Sequence, residues 1–348
     1  MSHDLFSDIA KTFTLTKLPD SEIELSGDIP PEIIALYSKK ALEEIARSLK
    51  LPGFREGHVP EEIARKKVGD IAVLEGAVAL CIKEFYPVLI TQKNVDAVGQ
   101  PAIRLTKLAP GNPVGVVLKT AVYPAVSLPK DWKTLGTKIP PVVEGAVTEE
   151  EVLKMLTSLQ ENHKQEKGDG AQDLPEINDA FAKSLGAFEN LDALKKQIRQ
   201  GIQEEKERVA HDTYRGHIID ALLQKVVVTI PKIFVESELD KIIGQMRQDI
   251  TRFNMTFEAY LERTQKTEES VRNEFEAQAA KRAKLQLTLN KIAELEKITA
   301  DTDAVEREMK YALEHFPNAK PELVRIHIET VLRNEKALQL LESRDKKE

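Results

Sequence analysis

Residues 267–298 set the hardest limit on what this chain can fold into. Across Thr267 to Ile298 apolar residues recur at three and four spacing with charges between them, the pattern of one long helix. At 1.5 Å per residue it would span about 48 Å. A compact domain of the size of 174–348 would be only about 40 Å across, from its expected radius of gyration. The same spacing covers 231–253, 303–316 and 321–341. Helices of that kind cannot all lie inside one globule, so they are expected to stand out as arms. Composition agrees. Charged residues make up 31% of the chain and aromatics only 5%, with one Trp, where about 25% charged is usual. At roughly 150 residues per domain, 348 residues suggest two or three domains. That is ample for a core without a disulfide or structural metal.

Several classes fall away. The lone Cys81 cannot form an intramolecular disulfide and supplies too few thiolates for a Cys-based zinc site. On its apolar helix it reads as a packing residue. His211 and His217 are six apart and do not share a helix face, and His327 with Glu329 makes no better site, so no metal site is expected. The longest apolar run, 76–82, is far short of the roughly 18 residues of a membrane span. The N-terminus has no basic-then-apolar pattern, so it does not read as a signal peptide, and a cytoplasmic address is expected. With a net charge of −7, generic affinity for nucleic acid is disfavoured, and any such contact must be local. No phosphate loop or nucleophile elbow is present, so no catalytic residue and no cofactor are expected.

Local signals order the chain. Two alternating runs around Pro19-Asp20 predict a hairpin. Pro30-Pro31 opens a helix that ends at Leu51-Pro52-Gly53, Pro60 starts a short one, and Asp70 to Lys93 makes a longer one that Pro87 should bend or interrupt. Strands over 102–108 and 114–123 flank the turn 109–113. This first stretch, 1–125, reads as a small α+β domain of antiparallel strands and helices. Residues 126–173 make a linker whose prolines, among them Pro129, Pro140 and Pro141, favour extended chain. In it Thr148 and Glu151 form a capping box for a helix running towards Gln165. From 174 to 348 nearly everything reads as helix. Asn190 caps one long segment, and 226–231 marks a stop and restart. The fold class is therefore an α+β domain followed by an elongated all-α domain with protruding helical arms.

The most specific segment is Gly53-Phe54-Arg55-Glu56-Gly57-His58-Val59-Pro60, between two helices. Its glycines let the backbone turn sharply. Arg55 can hold a phosphate or carboxylate in two hydrogen bonds, and Phe54 can fill an apolar pocket or stack on a base. The other reading is an ordinary connection with Phe54 tucked inward. Residues 51–60 resemble the ribosome-docking loop of trigger factor, the bacterial chaperone family that meets nascent chains at the ribosomal exit tunnel. The resemblance extends through the preceding hairpin and the two following strands. It resumes at Leu174-Pro175-Glu176 with Phe181, and at Val228-Thr229-Ile230-Pro231 followed by Glu236-Ser237-Glu238.

The resemblance implies an ATP-independent chaperone. Gly53, Phe54, Arg55, Glu56 and Gly57 would dock it on exit-tunnel protein and rRNA. It also implies unfolded nascent chains as partners, no membrane, and allows a homodimer away from the ribosome. Two departures stand out. The family's loop typically reads Phe-Arg-Lys followed by another basic residue; here Glu56 and His58 stand there. Fewer cations on phosphate predict weaker docking. The family usually carries an FK506-binding-type prolyl isomerase domain after the linker helix, yet only residues 166–173 separate that helix from Leu174. An autonomous domain needs roughly 50 residues, so this domain and its activity are expected to be absent. Phe234, Met246, Phe253, Met255, Phe257, Tyr260 and Phe275 gather aromatic and Met side chains in a helical region otherwise poor in them. On inner faces of the arms such flexible and flat surfaces would hold many unfolded sequences; otherwise they pack helix on helix. The alternative function is an assembly factor that uses the same helices on folded partners, without ribosomes.

Overall fold

The structure, a computed structural model, describes residues 2–52, 54–55, 58–166 and 174–343. It divides into two compact units, residues 1–127 with 227–287, and residues 128–226 with 288–348. Sequence order alone assigned 174–348 to one helical domain. The chain instead enters each unit twice, and 227–287 groups with the N-terminal part.

The first unit opens with α1 (Ser2–Thr12), β1 (Thr14–Leu18) and β2 (Glu22–Ile29). Next come α2 (Pro31–Ser48), α3 (Glu61–Val68), α4 (Asp70–Gln92), β3 (Ala97–Lys107) and β4 (Val114–Val122). The four strands form one antiparallel sheet in the order β1-β2-β4-β3. Its inner face follows the two-residue period of a strand. Ile23 and Leu25 of β2 and Val114, Val116, Leu118 and Thr120 of β4 are buried. α1, α2 and α4 cover that face through Phe6, Ile33, Ile34, Val78, Ile82, Phe85 and Leu89. Phe6 and Phe13 pack on Phe85 with ring centroids 5.4 and 5.2 Å away. Gly27 lies so close beneath the Phe13 ring that a Cβ there would come within 2.6 Å of it.

Two expectations shift here. Pro87 does not interrupt α4, which continues to Gln92. The buried Phe85, Tyr86 and Leu89 hold the backbone in place around the missing N–H. β3 begins at Ala97, earlier than the apolar run suggested, with a register shift between Val98 and Ala102. That bulge accommodates Gly99 at φ 77° and Pro101, which has no N–H, on an edge strand where neither breaks the sheet.

In the second unit the connector is not extended throughout. A 3-10 turn (Trp132–Thr134) runs into α5 (Leu135–Lys138), and Trp132 and Leu135 are buried. The prolines at 129 and 140 bracket this segment and none lies inside it, so helical backbone is open to it. The Asp131 carboxylate accepts from Lys138 at 2.8 Å and Lys225 at 3.1 Å. These bonds hold its pKa down at about 2.

α6 (Glu149–Glu166) starts on its capping box. The Thr148 N–H donates to Glu151 Oε2 at 2.8 Å, and the Glu151 N–H donates to Thr148 Oγ1 at 3.3 Å. α7 (Asp179–Leu185) and α8 (Leu191–Lys225) start on Asn178 and Asn190, whose side chains accept from first-turn N–H groups. At 35 residues α8 is about 52 Å long. α9 (Lys232–Arg252), α10 (Phe257–Thr264) and α11 (Glu268–Leu295) follow. α12 (Thr302–His315) and α13 (Pro321–Glu342) are the last two described helices. Arg215 of α8 clasps α13. It donates to both Glu335 oxygens at 2.9 and 2.7 Å and also to Glu342. Hydrogen bonds to the Glu335 and Glu342 carboxylates raise the pKa of Arg215, and the bond from the Arg215 guanidinium lowers that of Glu335. Leu341 runs past Gly136, where a Cβ would meet the Leu341 carbonyl at 2.1 Å.

Candidate functional site

Two places in the first unit concentrate the residues singled out in the sequence. The first is the loop between α2 and α3. Its base is fixed by buried Ala46, Val59 and Ala64, with Leu42, Leu49 and Leu51 against them. Two backbone turns shape it, with Phe54 N–H donating to Leu51 O at 3.1 Å and His58 N–H to Arg55 O at 3.0 Å. Phe54 is 41% exposed rather than tucked inward, and Arg55 is exposed with no ion-pair partner among the described residues. Gly53, Glu56 and Gly57 lie outside the described residues. α3, which Pro60 starts directly after the loop, carries exposed Lys66 and Lys67 in its last turn. The sequence reading passed these two over, because a basic helix end is the ordinary complement of the helix dipole.

The second place is an open groove of about 770 Å³ between α9, α10 and α11. α9 lines it with Ile242, Met246, Ile250 and Phe253, spaced four, four and three, which puts them on one helix face. Met255 lies in the turn after α9, Tyr260 faces in from α10 and Phe275 from α11. Phe253 is 81% exposed at the C-terminal end of α9. Met246, Met255, Tyr260 and Phe275 are half-buried. Among the aromatic and Met residues expected to share one surface, five therefore converge on the groove.

The other two do not. Phe257 is buried with Ile243 and Val271 beneath the groove. The Arg247 guanidinium covers its ring at 4.1 Å and is itself braced by Glu268 at 2.8 Å. Phe257 thus supports the groove as core and offers no surface of its own. Phe234 packs edge-on against Tyr123 at 5.8 Å, away from the groove lining. The sequence reading also missed Ile242 and Ile250, because an aliphatic residue at helical spacing looks the same whether covered or open. The polar rim, with Asp249, Arg263 and Arg282, gave no signal beyond ordinary solvated helix.

Cys81 is fully buried, and burial with Glu84 nearby pushes its thiol up to about 12, far from a reactive thiolate. Among the described residues, no group of three or more His, Cys, Asp or Glu is placed to hold a metal ion. Nor is any described helix long and apolar enough to cross a membrane.

Comparison with known proteins decides the family. Residues 11–159 match the family model described as bacterial trigger factor protein, and residues 190–343 match that of the bacterial trigger factor C-terminus. Together the two cover most of the chain in the expected order. The chain belongs to the trigger factor family. Trigger factor of Shouchella clausii is 22% identical over 372 aligned positions, covering 82% of this chain and 85% of that one. Trigger factor of Listeria welshimeri is 24% identical, covering 84% and 88%. A solved trigger factor structure, from work on promiscuous substrate recognition in its folding and assembly activities, is 16% identical. It matches with a TM-score of 0.50 over 94% of this chain and 98% of that one, and so shares the fold.

The alignment to the Shouchella protein is longer than this whole chain, so that trigger factor carries residues with no counterpart here. Between the two matched regions lie only residues 160–189, and the chain lacks a full prolyl isomerase domain. The flanks of the short 167–173 stretch already touch. Gln160 of α6 donates to the Pro175 carbonyl, and the His163 ring meets Phe181 of α7 edge-on at 5.9 Å. Val152, Leu156, Ala182, Leu194 and Ile198 make the core that joins α6, α7 and α8.

Proposed function

We propose that this member of the trigger factor family is a chaperone that holds apolar segments of unfolded chains in the α9–α11 groove without using a nucleotide, and that Phe54 and Arg55 dock it on the ribosome. The observation that carries the first part is the convergence of Met246, Phe253, Met255, Tyr260 and Phe275 from three helices on one open apolar surface. Met adapts its shape and an exposed ring offers flat contact area, so the surface accepts many sequences without fixed register. An open surface of this kind in a folded protein is otherwise a liability, and a binding role accounts for its persistence. Exposed Phe54 and Arg55, on a loop with a packed base, support the second part. In this reading 1–125 carries the docking loop, 126–173 connects, and 174–348 supplies the holding surface. No catalysed step is required, and none of prolyl isomerisation is expected.

The test has two arms. Suppression of aggregation of an unfolded client, without ATP, should fall several-fold on Phe253→Ser with Met246→Ser and be untouched by Phe54→Ala with Arg55→Ala. Cosedimentation with ribosomes should show the reverse. Unchanged holding in the groove variant, or unchanged pelleting in the loop variant, would refute the corresponding part. In a proline-limited refolding assay the chain should not speed the slow phase.

A further inference from the structure

The groove is apolar along its walls, but its rim is electrically one-sided. Its single carboxylate, Asp249, is already engaged. It accepts from Gln245 Nε2 at 3.0 Å and from Arg252 at 3.3 Å. The two cations, Arg263 of α10 and Arg282 of α11, are exposed and have neither an ion-pair nor a hydrogen-bond partner among the described residues. Helix geometry aims both at the groove. Arg263 stands three residues after Tyr260, and Arg282 seven after Phe275, on the faces that carry those rings. A client segment lying on the apolar walls therefore meets guanidinium groups from two different helices, against one lining carboxylate that is already paired with Arg252.

We propose that the groove selects apolar segments flanked by acidic residues, Arg263 and Arg282 pairing with the flanking carboxylates. This rests on the reading of the groove as the holding site and adds the chemistry of what it holds. Charge complementarity sets the preference: a guanidinium takes a carboxylate in two parallel hydrogen bonds, while a Lys-flanked segment meets like charge at both sides. The chain as a whole carries a net charge of −7. Its long-range field therefore favours basic peptides, and an acidic preference can arise only from local cations.

The test uses the full chain and three fluorescent unstructured peptides with one shared Phe- and Leu-containing core. Their flanks are Asp and Glu, Ser and Gln, or Lys. At low salt the acidic peptide should bind roughly three- to ten-fold tighter than the basic one, as expected for two exposed ion pairs. The gap should close at high salt, where such pairs are screened. Arg263→Gln with Arg282→Gln should erase the preference, so that the acidic and basic peptides bind equally well. Equal or stronger binding of the basic peptide, or a preference that survives in that variant, would overturn the inference while leaving the holding site intact. If the neutral peptide fails to bind, or binds equally well to Phe253→Ser, the holding site itself is refuted and this inference with it.

Discussion

Phe253 and Phe257 are four residues apart on neighbouring helices, yet one is 81% exposed and the other 5%. The difference comes from what lies over each ring. Arg247 and Tyr260 stack on Phe257, with Ile243 and Val271 beside it, whereas Phe253 follows the last residue of α9 and its ring is left open. Nothing in the aromatic and Met content of the segment separates the two roles, so the sequence reading grouped them. Gly27 shows the same dependence on a distant neighbour. Its absent Cβ is what lets Phe13 lie flat on β2 and reach Phe85. Gly27→Ala should lower stability by about 1–3 kcal/mol, because the ring must shift within a filled core. Chemical denaturation with an unchanged slope would read this, and a variant as stable as the parent would mean the ring moves freely.

At the scale of elements, the interactions legible in the sequence are those closed within a few residues. The Thr148–Glu151 box, the Asn190 cap and the Pro231 restart all form where their spacing predicts. The clasp of α8 on α13 spans 120 residues and more and left no such trace. Removing Arg215 leaves Glu335 and Glu342 facing each other half-buried, so Arg215→Ala should cost about 1–3 kcal/mol. The expected sign is a lower thermal midpoint of the second unit, followed by Trp132 emission. α5 offers a pH test through the same reporter. The Asp131 carboxyl is held down at about 2, so its pairing with Lys138 and Lys225 stabilises fully above the ordinary carboxylate range near 4 and is lost as pH falls towards 2. The stability gap between the parent chain and Asp131→Asn should be constant above about pH 5 and shrink across that window. A gap independent of pH would remove Asp131 from the account of α5.

For the whole molecule, the buried residues of the core under the sheet all lie between Phe6 and Leu118, although 227–287 belongs to the same unit. A fragment of residues 1–127 should therefore fold alone, with the far-ultraviolet signature of its sheet and helices. If the docking proposal holds, it should also pellet with ribosomes to the extent expected of the full chain, since it contains the whole 51–60 loop. An unfolded fragment would show that 227–287 is needed to complete the unit. The expectation of one helical domain over 174–348 followed sequence order. The division seen in the structure follows contacts such as Ser127 with Val227 and Tyr123 with Phe234, which join stretches about a hundred residues apart.

By itself, the sequence was enough to place helix caps, proline stops, the Phe54-Arg55 loop and the short stretch after α6 that leaves no room for another domain. Each of these depends on chain chemistry and length alone. The helical period also showed which faces would be apolar. Only the tertiary structure decided which of those faces are covered, that Met246, Phe253, Met255, Tyr260 and Phe275 meet while Phe257 and Phe234 do not, and that two arginines with no partner among the described residues stand on their rim. A residue's pattern says which way it faces along its own helix. What it faces is set by long-range packing, which no local spacing encodes.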